Sequence, residues 1–132
     1  MIGDFRGKGE VDILVAGGHR LALYSWIEGG LLWRWDDEGL AARRIVGLES
    51  GDITGDGRQE VVLTTVNKGR LQTAVLSWSS GEWARLAEVD GLFIRVLRDG
   101  GEGEVIVGQR FGATTVFSGP VREYRWEEGE FR

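Results

Sequence analysis

An internal repeat constrains this chain more than any other feature. Gly3-Asp4-Phe5-Arg6-Gly7-Lys8-Gly9-Glu10-Val11-Asp12-Ile13-Leu14-Val15 aligns without a gap on Gly51-Asp52-Ile53-Thr54-Gly55-Asp56-Gly57-Arg58-Gln59-Glu60-Val61-Val62-Leu63, 48 residues further on. A weaker third copy occupies residues 96–107 at an offset of 44, with Glu104 opposite Glu60. A second landmark recurs independently: Trp26-Ile27-Glu28-Gly29, Trp78-Ser79-Ser80-Gly81 and Trp126-Glu127-Glu128-Gly129, each followed two residues later by Leu31, Trp83 or Phe131. Two unrelated landmarks repeating in phase define a supersecondary unit that is copied along the chain.

Each unit reads as strands. Residues 11–16, 60–66 and 104–108 are β-branched and apolar. Between 21 and 26, Leu21 and Leu23 fall on one alternating face and Ala22, Tyr24 and Trp26 on the other, so both faces are apolar. A strand half-exposed to water alternates apolar with polar, and this one predicts a sheet covered on both sides. Third strands are expected to begin near Leu31, Trp83 and Phe131, and fourth strands near residues 42–48 and 92–97. No segment carries a helical period, so the fold class is all-β. The 22 glycines, against one proline, punctuate the repeat instead of forming a linker.

Four-stranded antiparallel units with both faces buried predict β-propeller blades. The chain reads as a single segment, 1–132, of about three repeats at approximately 1–47, 48–94 and 95–132, the last incomplete. Closed propellers have typically about four to eight blades. Three would leave edge strands and two apolar faces open. The ring is therefore expected to close only by oligomerisation or as part of a longer chain, and self-association is the favoured reading.

Composition removes several function classes. There is no cysteine, hence no disulfide framework or thiolate metal site, and a lone histidine, His19. A net charge of −5 argues against nucleic acid as a partner, because phosphate backbones demand a basic face. No apolar run approaches the roughly 18 residues of a membrane span, and Met1-Ile2-Gly3-Asp4 does not read as a secretory signal. His19 follows Gly17-Gly18 in a hairpin turn with no sequence-adjacent serine or aspartate to complete a catalytic triad. Asp36-Asp37-Glu38 and Glu127-Glu128 read as solvated turns. Asp99-Gly100-Gly101-Glu102-Gly103 precedes a strand, not the helix that a phosphate cradle needs. A non-enzyme is expected.

The loop Asp52-Ile53-Thr54-Gly55-Asp56-Gly57-Arg58-Gln59-Glu60 places oxygen-bearing side chains at positions 1, 3, 5 and 9. Gly57 stands at position 6, where the loop turns sharply, and the carbonyl of Arg58 is available at position 7. Calcium takes six to eight hard oxygen ligands at about 2.3–2.6 Å, and this spacing wraps one ion. The candidate ligands are thus Asp52, Thr54, Asp56, Arg58 through its carbonyl, and Glu60. Position 12 is Leu63 and a strand follows, so the loop is not an EF-hand. The alternative is a pair of Asx-turns in which Asp52 and Asp56 bond nearby backbone N–H groups.

In these residues the chain resembles the FG-GAP/VCBS repeats of integrin-α-type β-propellers, whose blades carry Asp-x-(Asp/Asn)-x-Asp-Gly-x-x-Asp before an apolar strand. The match is close over 51–63, partial over 3–15 and faint over 96–107. Thr54 and Glu60 depart from that pattern. In the first repeat Arg6 and Lys8 replace ligands, leaving Asp4 and Asp12, and in the third Val96 and Gly100 do. The resemblance implies Ca²⁺ held in rim loops for stability, and an extracellular setting. The first loop is read as metal-free, with the Lys8 ammonium standing where an ion would and pairing with Asp4 or Asp12. The third is read as binding no ion.

Of the six tryptophans, Trp26, Trp78 and Trp126 occupy the repeated position and read as packing between blades. Trp33 and Trp35 belong to one repeat only and are candidates for an exposed glycan or protein contact. The expected function is a non-catalytic binding or scaffold module that presents loops to a protein or glycan. The alternatives are the propeller portion of a carbohydrate-active enzyme, marked by a cleft of clustered carboxylates with raised pKa, and a purely structural ring-forming repeat.

Overall fold

The computed structural model describes residues 1–37, 43–98, 104–112 and 117–132, and the side chains of 35–37 lie outside that description. Every element among the described residues is a strand, and every pairing is antiparallel. The first sheet joins β1 (Ile2–Gly3), β2 (Asp12–Gly17), β3 (Arg20–Ile27) and β4 (Gly30–Asp37) in sequential order. The second joins β5 (Arg44–Gly51), β6 (Glu60–Asn67), β7 (Arg70–Ser79) and β8 (Glu82–Asp90) in the same way. The third holds β9 (Leu92–Arg98), β10 (Glu104–Phe111) and β11 (Phe117–Tyr124), and the hairpin β12 (Trp126–Glu127) and β13 (Glu130–Phe131) follows. The first two sheets are four-stranded antiparallel units, and the whole is an all-β, open propeller-type stack.

Two sequence expectations shift by one strand. Of the segments 42–48 and 92–97, read as fourth strands, residues 44–48 and 92–97 instead lie in the opening strands of the next sheets, and residue 42 lies outside the described residues: β5 pairs with β6, and β9 with β10. The cause is the acidic loop. It is short enough to return the chain directly, so Gly51 pairs with Glu60 across its base and the strand before the loop must share a sheet with the strand after it.

The repeated Trp-x-x-Gly is a hairpin signature. Ser80 (φ 53°) and Gly81 (φ 85°) form the two-residue turn between β7 and β8, as do Glu128 (φ 51°) and Gly129 (φ 83°) between β12 and β13. A turn with both residues at positive φ matches the twist of the flanking strands, and glycine takes the second place without a Cβ penalty. The tryptophan then stands opposite the residue two places past the glycine. Trp78 faces Trp83 edge-on at a ring separation of 5.4 Å, and Trp126 faces Phe131 at 5.1 Å. A Cβ added at Gly81 would meet nothing within 4 Å, so Gly81→Ala tests backbone strain alone. The expected loss is about 1 kcal/mol in urea unfolding.

Two apolar interfaces hold the three sheets together. Leu14, Leu21 and Leu23 of the first sheet pack on Val61, Leu63, Leu76 and Trp78 of the second. Val62 and Val75, on the opposite face of the second sheet, pack on Leu92, Ile94, Val96 and Ile106 of the third. Along β6 the residues from Glu60 to Thr65 are all buried, because alternate side chains enter alternate interfaces. Thr64 and Thr73 share a hydroxyl hydrogen bond (3.0 Å), and the Thr73 hydroxyl donates onward to the Leu92 carbonyl (2.6 Å). The second sheet is thus covered on both sides.

The third repeat is out of step with the offset of 44. Ile13 pairs with Tyr24, Val61 with Leu76 and Ile106 with Tyr124, and in each case a tryptophan lies two residues beyond the second partner. Ile106 is therefore the counterpart of Val61, at an offset of 45. A slip of one residue exchanges the faces of a strand. Ile106 accordingly points back at the second sheet, where the offset of 44 would turn it away.

Candidate metal centre

The loop between β5 and β6 folds around its own carboxylates. Gly55 (φ 77°) and Gly57 (φ 83°) supply the left-handed backbone that lets the excursion over residues 52–59 close. Inside it the Gly57 N–H donates to Asp52 Oδ2 (2.9 Å), the Arg58 N–H to Asp56 Oδ1 (2.8 Å) and the Thr54 N–H to Glu60 Oε2 (3.0 Å). Each carboxylate thereby has one oxygen engaged by backbone, as an Asx-type reading predicts.

The other oxygens carry the chemistry. One carboxylate oxygen from each of Asp52, Asp56 and Glu60 lies within 4.8 Å of the others, a group close enough to share a metal ion. Asp52 Oδ1, Thr54 Oγ1 and Glu60 Oε1 are enclosed and have no hydrogen-bond partner in the protein. Buried polar atoms are nearly always paired, so these three oxygens, with Gln59 Oε1 a fourth in the same loop, are a strong departure. Glu60 is fully buried. Burial raises its pKa above the ordinary carboxylate value, and Asp56 and Asp52 add repulsion against the opposing N–H groups of Thr54 and Ile53.

Of the five candidate ligands, the structure brings Asp52, Asp56 and Glu60 together and encloses the Thr54 hydroxyl oxygen beside them in the loop. Arg58 has a second task that its spacing did not reveal. Its guanidinium reaches across to donate to the Trp78 carbonyl (2.9 Å), fastening the loop to the end of β7.

The first loop has the same backbone plan with a different filling. Asp4 Oδ2 accepts the Gly9 N–H (2.8 Å), as Asp52 accepts that of Gly57, and Asp12 Oδ2 accepts the Arg6 N–H (3.0 Å), as Glu60 accepts that of Thr54. The cation is Arg6, not Lys8. Arg6 Nε donates to Asp12 Oδ1 (2.9 Å) and Nη2 to Glu10, while Lys8 contributes only its backbone N–H to Asp4 (2.9 Å). The reason is position: Arg6 stands where Thr54 points its hydroxyl inward, whereas Lys8 lies on the exposed side of the turn. Asp12 is wholly buried and also accepts the Ser25 hydroxyl (2.8 Å). Burial disfavours the Arg6 charge, but hydrogen bonds and attraction from Glu10 and Asp12 outweigh it and its pKa rises. The third loop, at 99–103, lies outside the described residues, as do the side chains of Trp35, Asp36 and Asp37 and residues 38 and 113.

Elsewhere, His19 sits in an exposed turn with Nδ1 on the Arg43 carbonyl. Trp78 is buried between sheets and Trp126 half-buried against the second interface, whereas Trp26 and Trp33 are 58% and 57% exposed. The packing role expected of all three repeated tryptophans therefore holds for two. No helix of the described chain is long and apolar enough to cross a membrane.

No curated protein and no solved structure matches the chain. A family match exists, and it runs from the first carboxylate of the first loop, Asp4, to the strand that follows the second loop, ending at Leu63. Residues 4–63, which carry both loops, are similar to the FG-GAP-like repeat.

Proposed function

We propose that this chain is a non-catalytic β-propeller-type scaffold or binding module, its 52–60 loop fastened by one Ca²⁺ and its rims presenting loops to a protein or glycan. The observation that carries the metal reading is the trio of enclosed, unpartnered oxygens on Asp52, Thr54 and Glu60 beside the Asp56 carboxylate. A catalytic carboxylate with a raised pKa would open onto a cleft. Glu60 instead turns into its own loop, one oxygen on the Thr54 N–H. An all-oxygen donor set on a glycine-jointed loop suits Ca²⁺ over Mg²⁺, which keeps its waters and demands rigid octahedral geometry. When bound, the ion would neutralise the three carboxylates and cross-link the two ends of the loop. Asp52, Asp56, Glu60, the Thr54 hydroxyl and the Arg58 carbonyl would hold it.

Calorimetric titration of chelator-stripped protein tests this. One Ca²⁺ per chain is expected, with Mg²⁺ at least ~10-fold weaker and no binding in Asp52→Ala. Absence of Ca²⁺ heat in the wild type overturns the metal reading. For the binding role, glycan arrays probed with and without chelator are the corresponding measurement.

The Glu60 shift adds a pH dependence. A carboxylate whose folded pKa lies above its unfolded value stabilises the metal-free protein below the unfolded value, and loses that contribution as pH rises through the folded one. Metal-free protein should therefore lose stability on going from about pH 4.5 toward neutrality. The stabilisation by Ca²⁺ should grow over the same window, since the ion needs the ionised form. Glu60→Gln should flatten both dependences, as read by melting temperature against pH.

A further inference from the structure

We propose that the 52–60 loop is gripped at both ends by its neighbouring repeats, and that this grip sets how tightly it holds Ca²⁺. The inference rests on the calcium reading of that loop. It deepens that reading by naming side chains outside the donor set that keep the donors in place.

One contact recurs at the two junctions between repeats. The glycine just before each acidic loop, Gly3 or Gly51, pairs across the base of the loop with the residue that closes it, Asp12 or Glu60. A Cβ added at Gly3 would overlap Gln59 Oε1, and one added at Gly51 would overlap Glu104 Oε2. At the structural offset of 45, Glu104 is the counterpart of Gln59. The same position of each repeat therefore inserts its side chain into the glycine notch of the repeat before it. Both oxygens are enclosed and take no hydrogen bond from the protein. Each stands where a Cβ would, against the glycine Cα–H, a weak contact for which a larger residue leaves no room.

The two notches bracket the candidate metal centre. Gly51 adjoins Asp52, the first ligand, and Gln59 adjoins Glu60, the last. The third repeat thus fixes where the loop begins: Glu104 Cδ and Val96 Cγ1 lie 2.6 and 2.9 Å from the Cβ position of Gly51. Glu104 is itself held by Arg98 (3.5 Å). The first repeat fixes where the loop ends. Phe5 Cζ, 3.2 Å from the Cβ position of Gly3, walls that notch, and the buried Phe5 ring packs on Trp83 at 6.0 Å. Arg58 adds a contact beside it. Its Nε lies 3.7 Å from the Cβ position of Gly7 in the first loop, while its Nη2 reaches the Trp78 carbonyl. Ligands held in place before the ion arrives bind it more tightly, because less ordering is left to the binding step.

Calcium titration calorimetry of the full chain, with circular dichroism to confirm folding, tests the grip from each side. Gly3 lies in β1 outside the positive-φ region, so Gly3→Ala strains no backbone; its methyl displaces Gln59 and alters no candidate ligand. Glu104→Ala empties the other notch. Each should weaken Ca²⁺ binding by ~10-fold, the lower end of what outer contacts to a metal site are worth. Glu104→Gln keeps the side chain in its notch and removes only the charge, so it should bind nearly as the wild type does. In a Gln59→Ala background Gly3→Ala should lose its effect, since the atom that its methyl strikes is gone. Wild-type affinity in either folded Gly3→Ala or Glu104→Ala overturns the proposal and leaves the calcium reading standing. So does a Glu104→Gln as weak as Glu104→Ala, because lost charge would then explain both. Absence of Ca²⁺ heat in the wild type overturns the calcium reading and this inference together. The Glu104 pair decides the matter if Gly3→Ala does not fold.

Discussion

Adding millimolar Ca²⁺ to chelator-stripped protein should raise the melting temperature by about 10 °C, and Asp52→Ala should abolish the rise. The size follows from mass action. A ligand present at a hundred times its dissociation constant stabilises the state that binds it by about 2.7 kcal/mol. In a chain of this length each kcal/mol moves the midpoint by roughly 4 °C. The metal-free loop holds three mutually repelling carboxylates, one of them buried, around oxygens that no protein group satisfies. Calcium therefore removes a cost as well as adding a bond. Calorimetric or dichroism melts check this, and an unshifted midpoint would sink it.

Arg6→Ala should cost about 3–5 kcal/mol, because it leaves the Asp12 carboxylate buried without its cation. Melting should fall by roughly 15 °C on the same scale, whether or not calcium is present. Lys8→Ala is the control. It is exposed and meets Asp4 through its backbone N–H, so the change should stay within about 0.5 kcal/mol. Adding Asp12→Asn to Arg6→Ala should recover part of the loss by removing the stranded charge, while the amide keeps an acceptor for Ser25. If Lys8→Ala proved the more damaging, the assignment of Arg6 as the staple would be wrong.

The two loops set against each other show one backbone plan stabilised in two ways. Asp4 and Asp52 cap the same turn, and Asp12 and Glu60 accept the same N–H. What differs is the filling: an inward guanidinium and an exposed Lys8 in the first loop, a hydroxyl and the Asp56 carboxylate in the second. The guanidinium brings its own positive charge, so the first loop is complete within the chain. The hydroxyl brings none, so the second is left with surplus negative charge.

Local features were readable from residue order because their causes are local. The Trp-x-x-Gly landmark specifies a two-residue turn, since glycine is needed where φ turns positive, and the turn sets the Trp78–Trp83 pair. The spacing of Asp52, Asp56 and Glu60 brings their oxygens together because the glycines between them allow a single tight loop. The roles of Arg6 and Arg58 were less legible. A long side chain reaches several residues away, and only the folded loop shows which carboxylate or carbonyl it meets.

The sequence by itself determined an all-β repeat, its turns, and the loop that gathers three carboxylates, because spacing and backbone preference act within a few residues. Tertiary structure alone decided which sheet β5 and β9 join, which way Ile106 faces, and which tryptophans are buried. Strand pairing assigns the faces, and a one-residue difference in register reverses them. Burial then depends on whether a neighbouring sheet is there to provide it. Trp26 and Trp78 hold the same place in their repeats, and only Trp78 has a sheet packed against it.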